Sequence, residues 1–235
     1  VTDIVIDARF NGPPASANGG YVSGTVARLL GEGGSPVEVR LRRPPPLDHP
    51  LRWDGERLVD PGDGDAVLAE GTAVPGAEPP DGRPPAVTLD EAIVASRAFA
   101  GFGEHPFPAC FGCGTARAGG DGLRVFAGAV PGTEAVAAPW RPHESVLEGG
   151  EVPGPVTWAA LDCAGGWAGL SRVEGTYVLG TMRGAVPGRA VPGEPHVVVG
   201  WLVGTEGRKL RAGSALTTAA GDLVGWSDQT WIRIA

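Results

Sequence analysis

The feature that most constrains this chain is an internal repeat. Two segments of the 235-residue sequence, 135 positions apart, follow one plan. Each opens at an entrance rich in glycine or proline, continues as a helix of small and apolar residues, and gives way to a run of strands. In the first, Asn18 suits an N-cap, Gly19-Gly20 open the helix, and Gly31 suits the position just past its end. In the second, Pro153-Gly154-Pro155 leads into a mostly apolar helix over 154–169. Laying Gly19-Gly20 on Gly154-Pro155 brings the helices into register, and strands follow in the same order in both halves. The expectation is an α+β fold made of two copies of a helix lying on an antiparallel sheet.

The strands are read from alternation and turns. Residues 1–10 suggest a strand leading into Asn11-Gly12-Pro13-Pro14. Val37, Val39 and Leu41 alternate with Glu38, Arg40 and Arg42, as in a strand with one wet face. Pro44-Pro45-Pro46 interrupts the pairing, which resumes over 47–53. Asp54-Gly55 and Gly62-Asp63-Gly64-Asp65 mark turns before a strand over 66–72. Residues 75–86 are proline-rich without apolar periodicity and suggest a linker. A short helix is expected over 89–100, with Asp90 and Glu91 favourably placed in its first turn. In the second half, strands are expected at 122–126 and 134–140 before the helix, and at 177–186, 196–205, 209–218 and 223–234 after it. The units are therefore expected over 1–104 and 105–235, with the linker region within 75–108.

Composition narrows function more than fold. The 39 glycines and 23 prolines could reflect GC-rich coding DNA, so they carry no weight as fold signals. A formal charge of −8, without a long run of Lys or Arg, argues against a nucleic-acid partner. A local group such as Arg183, Arg189, Arg208, Lys209 and Arg211 could still meet a few phosphates on a small ligand, although such residues more often form the wet face of a strand. Three cysteines are no disulfide framework. With no secretory leader and no apolar run near the ~20 residues of a membrane span, a cytoplasmic protein without membrane contact is expected.

Asp162 stands alone as a carboxylate in the middle of the second apolar helix. A charge there must find partners or shift its pKa, because desolvating it costs several kcal/mol or more. Its counterpart in the first copy is Ala27, so only one helix carries the acid. Cys110 and Cys113 lack the further ligands that a structural zinc site wants, and they are read as packing of a tight turn; no metal and no cofactor is expected. Cys163 beside Asp162 lies about 100° around the helix from it and has no histidine nearby in sequence, so it is not read as a nucleophile.

Cys110-Phe111-Gly112-Cys113-Gly114, then Gly122-Leu123-Arg124-Val125-Phe126, then Leu161-Asp162 with Gly166-Trp167-Ala168, resembles the hotdog-fold acyl-CoA thioesterases of the phenylacetyl-CoA thioesterase type. The run from Gly193-Glu194-Pro195-His196 to Ser227-Asp228-Gln229-Thr230-Trp231 is similar to the closing strands of that family. Phe10-Asn11-Gly12-Pro13 with Asn18-Gly19-Gly20-Tyr21 is similar to the first half of tandem-hotdog members. The resemblance implies a tandem hotdog, in which two helix-on-antiparallel-sheet units form a pseudo-dimer with a continuous sheet. It also implies hydrolysis of an acyl-CoA or related thioester. Asp162 would be general base or nucleophile, and the backbone N–H groups of Gly19 and Gly20 would polarise the carbonyl. Thr181 would be a polar helper, and Asn18, Gly154, Trp158 and Gln229 would contact substrate. A non-catalytic acyl-CoA or acyl-ligand binding protein on the same scaffold is the alternative, favoured by the loss of the usual His, where Asn18 stands, and by Ala27; a further departure is Pro155, which has no N–H to give. A homodimer of tandem hotdogs would fit the resemblance.

Overall fold

Asn18 starts the first helix. In the computed structural model, which describes residues 2–31, 34–81 and 86–234, strand β1 (Thr2–Val5) precedes α1 (Gly19–Leu30). The Asn18 side chain accepts the Tyr21 N–H at 2.9 Å, and Gly31 closes the helix in the left-handed conformation at φ 74°. Strands β2 (Val37–Leu41), β3 (Pro50–Trp53), β4 (Arg57–Asp60) and β5 (Ala66–Ala73) follow. Gly82-Arg83-Pro84-Pro85 of the expected linker lie outside the described residues. Next comes α2 (Leu89–Ser96), shorter than expected and begun by a reciprocal cap between Thr88 and Glu91.

Strands β6 (Gly128–Ala129) and β7 (Val136–Trp140) lead to α3 (Gly154–Leu170), which is entered through Pro153 with no side-chain cap. Then β8 (Tyr177–Ala185), β9 (His196–Glu206), β10 (Lys209–Thr218) and β11 (Leu223–Arg233) complete the chain. Among the described residues, these strands join one antiparallel sheet of eleven, ordered β1-β3-β4-β5-β2-β8-β11-β10-β9-β7-β6. The two halves meet where β2 pairs with β8, Val39 opposite Met182. Both of those side chains are fully buried, so core packing fixes this register.

One expected strand is not one. Residues 122–126 lie outside the sheet and bond instead to the cysteine loop, Leu123 N–H to Phe111 O and Val125 N–H to Gly112 O. Arg124 adopts φ 54°, a left-handed conformation that a regular strand cannot hold.

The helices α1 and α3 pack directly on each other. Two glycines one turn apart permit this. A Cβ on Gly20 would sit 2.5 Å from Asp162 Cβ, and one on Gly24 would sit 2.6 Å from Pro155 Cα. Residues 155–169 of α3 are buried throughout, between α1, the strands β9–β11 and the loop that carries Cys110. α2 lies against β7 and β9, where Ala92 and Ala95 join Val197 and Val199 in a smaller cluster.

Candidate active site

The contact between α1 and α3 brings Asp162 to the entrance of α1. The first four N–H groups of a helix have no intrahelical partner, and three of them are engaged here. Asn18 N–H donates to Phe10 O at 2.8 Å, Gly20 N–H to Asp162 Oδ2 at 3.0 Å, and Tyr21 N–H to the Asn18 side chain, while Val22 N–H makes the first intrahelical bond, to Asn18 O. Gly19 N–H is left without an acceptor among the described residues. Asn18 serves both sides: its Oδ1 caps α1, while its Nδ2 donates to Asp162 Oδ2 at 3.0 Å and reaches Cys110 Sγ at 3.8 Å. A side-chain amide can do this because its acceptor and its donor are separate atoms.

Asp162 is 2% exposed, and its second oxygen, Oδ1, is buried with no hydrogen-bond partner among the described residues. Burial raises its pKa to about 7, against the opposing pull of the Gly20 N–H. The acid borders a cavity of about 630 Å³ between the halves, lined also by Asn18, Gly19, Leu179 and Trp167. Arg42 and Arg43 line it too and are paired with Glu70 and Asp63.

The cysteine loop also lines this cavity, through Cys110 and Cys113. Arg117, missed by the sequence reading, ties that loop to the start of the chain: it donates to Ala109 O and to Arg9 O, and it contacts the Asn11 side chain. Phe10 stacks on Tyr21 at 3.9 Å between centroids, and Phe111 meets both rings edge-on. The loop thus rests on the same residues that lead into α1. Cys110, Cys113 and Cys163 are all buried. Donors from the other two thiols hold the Cys110 thiol well below its ordinary pKa.

Of the residues expected at the site, Asp162, Asn18, Gly19 and Gly20 come together, and the rest lie elsewhere. Gly154 and Trp158 line a second cavity of about 580 Å³, the counterpart of the first, with Ala27, Arg28 and Arg189. Thr181 lines neither cavity and precedes the fully buried Met182, so it faces away from the core. Gln229 is fully buried beneath α3. Its Nε2 donates to Leu161 O at 2.9 Å and to Ser227 Oγ at 2.8 Å, and its Oε1 accepts from Trp231 Nε1. It holds the helix turn next to Asp162 and lines neither of these two cavities.

The five cationic residues considered for phosphates, and read more readily as the wet face of strands, do not line the first cavity, and Arg183 and Arg211 both reach Asp228. Arg42 and Arg43 were missed because they read as the wet end of β2. The Gly20/Gly24 spacing was the available signal for the helix contact.

No protein-family model matches the chain, and no curated protein matches its sequence. Solved structures do resemble it. The tesB protein of Mycobacterium avium subspecies paratuberculosis superposes with a TM-score of 0.58 at 16% identity, over 95% of this chain and 90% of that one. A conserved protein with a hot dog fold from Alicyclobacillus acidocaldarius gives 0.62 at 13% identity, over 99% and 92%. A candidate thioesterase II from Thermobifida fusca YX gives 0.62 at 16%, over 99% and 93%. Near-complete coverage of both partners, with one eleven-stranded antiparallel sheet spanning two helix-bearing halves, shows that this chain has the tandem hotdog fold.

Proposed function

We propose that the chain hydrolyses an acyl-CoA or related thioester, with Asp162 as general base. One observation supports this: a buried carboxylate from α3 is held by two donors at the start of α1, one of its oxygens has no partner among the described residues, and the residue lines a large, mostly apolar cavity. In this reading the acyl chain occupies the cavity and the thioester carbonyl lies at the α1 entrance. Asp162 Oδ1 takes a proton from water as the water oxygen attacks the carbonyl carbon. Gly19 N–H, with the positive end of the helix dipole, stabilises the developing oxyanion. Collapse of the tetrahedral intermediate expels the thiolate, which recovers the proton from Asp162. A carboxyl with pKa about 7 is divided between its two forms at neutral pH, which suits this exchange. Arg42 and Arg43 at the same cavity would meet the phosphates of the thiol carrier. The description of the Thermobifida fusca protein as a candidate thioesterase II is in keeping with this chemistry.

The test is thiol release from a panel of acyl-CoAs by wild type and Asp162→Asn side by side. The variant should lose about 100-fold or more in turnover while still binding the ester. Unchanged hydrolysis by the variant removes Asp162 from the mechanism. A second reading, acyl-ligand binding without turnover, is favoured by the engagement of Gly20 N–H with Asp162, which leaves one fewer donor for a substrate carbonyl. Its signature would be saturable acyl-CoA binding with no thiol released by wild type across the panel.

A further inference from the structure

The sequence pairs Cys110 with Cys113 and leaves them short of ligands, but the fold supplies a third. Cys163, on the turn of α3 next to Asp162, brings its sulfur to 3.9 Å from that of Cys110. All three Sγ atoms lie within 4.8 Å of one another, and each side chain is at least nine-tenths buried. A tetrahedral ion with metal–sulfur bonds of about 2.3 Å sets its sulfurs about 3.8 Å apart, so the cluster is close to a ligating arrangement.

We propose that Cys110, Cys113 and Cys163 form a three-thiolate site for a soft, zinc-class cation, with the fourth coordination position open to the cavity. The frame is stiff. Gly114 N–H bonds to Cys110 O at 2.8 Å, and a Cβ on Gly114 would sit 2.5 Å from that same oxygen. Leu123 and Val125 brace Phe111 and Gly112 through their carbonyls. Gly112 has no room for a side chain, since a Cβ there would lie 2.5 Å from Cys163 Sγ. Thiolate ligands select soft ions of the zinc and copper(I) kind over magnesium or calcium. Three thiolates with a divalent ion leave one negative charge, and the Asn18 Nδ2 donor faces the Cys110 sulfur. All three cysteines line the cavity, so a water or a small thiol can complete the tetrahedron. Bound there, the ion clamps the cysteine loop to α3 beside the acid, as a positioning element outside the proton transfers.

The experiment reads the metal and not turnover. The full chain, reduced and stripped with a chelator, is titrated with Co²⁺. Expected is intense thiolate-to-cobalt charge-transfer absorption that saturates at one ion per chain and is abolished by added Zn²⁺. Cys163→Ser and Cys113→Ser should each weaken Zn²⁺ binding by about tenfold or more and lower the absorption by about a third. Alkylation of the unmodified chain with iodoacetamide supplies a check that needs no variant, because Zn²⁺ should protect all three thiols together. Absence of the charge-transfer band in reduced wild type, protection of fewer than three thiols, or recovery of the sulfurs only as a disulfide would each overturn the proposal.

Discussion

Asn18 joins the local structure of one helix to the chemistry of another, and a single substitution separates the two roles. Aspartate is as good an N-cap as asparagine, so Asn18→Asp keeps the bond to Tyr21 N–H. It replaces a donor to Asp162 Oδ2 with a second carboxylate, and two such charges side by side cannot both ionise readily. The expected outcome is near-native helix content, a lower melting temperature, and loss of most thiol release at neutral pH; wild-type turnover in this variant would contradict the role of the amide. His196 offers a residue-scale test of stability. It is 1% exposed, its Nδ1 faces Glu194 O at 2.9 Å and its Nε2 accepts from Val191 N–H at 3.2 Å, an arrangement that needs the neutral ring. Burial lowers its pKa, so on acidification the unfolded chain takes up this proton before the folded one does. Its contribution to stability is therefore complete above the unfolded value of about 6.5 and is lost as the pH falls from there toward the folded value. Urea unfolding across this range should show a smaller loss of stability on acidification for His196→Gln than for wild type.

At the scale of elements, the contact of α1 with α3 is what assembles the site. Gly20→Ala would drive a methyl into Asp162 Cβ and the Trp158 carbonyl, at 2.5 and 2.7 Å, so α3 must shift away from α1. Overpacking of this kind typically costs about 1–3 kcal/mol, and here it also lengthens the bond from Gly20 N–H to the acid. The expected result is a lowered denaturation midpoint with turnover reduced beyond what the lost folded fraction explains. Gln229→Leu probes the other face of α3: it strips Trp231 Nε1 and Leu161 O of a partner, at a cost of about 1–3 kcal/mol in urea unfolding. Much of this scale was legible in the sequence. Caps, glycines and period-2 alternation depend on neighbours a few residues away, and they marked both helices and the four long strands of the second half. The strand expected at 122–126 failed because the left-handed Arg124 answers to the cysteine loop, a contact without local signature. The third thiol stayed hidden for the same reason, since Cys163 is 50 residues from Cys113 and meets it only when α3 packs on the loop. Thr181 and Gln229 were assigned by strand order, and the face each presents depends on registers that include a bulge between β8 and β11.

Across the whole molecule, the repeat makes two cavities and the sequence equips one. Each component of the first site has a counterpart 135 residues away, and three of them have lost their chemistry: Pro153 stands for Asn18, Pro155 for Gly20, and Ala27 for Asp162. Pro155 has no N–H to hold a carboxylate, Pro153 has no side-chain donor, and the entrance of α3 has no side-chain cap. The matching cavity remains, lined by Ala27 and Gly154, so what separates the two sites is donors and an acid rather than space. α2 lies on β7 and β9, which is a reason to propose that the division between the units, expected within 75–108, falls before α2. One site per chain follows from the asymmetry, and it can be tested by trying to restore the other. Ala27→Asp alone puts a carboxylate on α1 facing an entrance that cannot bond to it, so it should lower stability by about 1–3 kcal/mol and add no turnover. Adding Pro155→Gly returns the missing N–H at the position that Gly20 fills in the first copy, and should recover part of that loss. Introduced into the Asp162→Asn background, which should itself be inactive, the pair reports only on the rebuilt site. Thiol release that appears with Ala27→Asp alone would mean that the carboxylate needs no helix N–H to hold it, and Gly20 would then lose its part in holding Asp162 for catalysis at the native site.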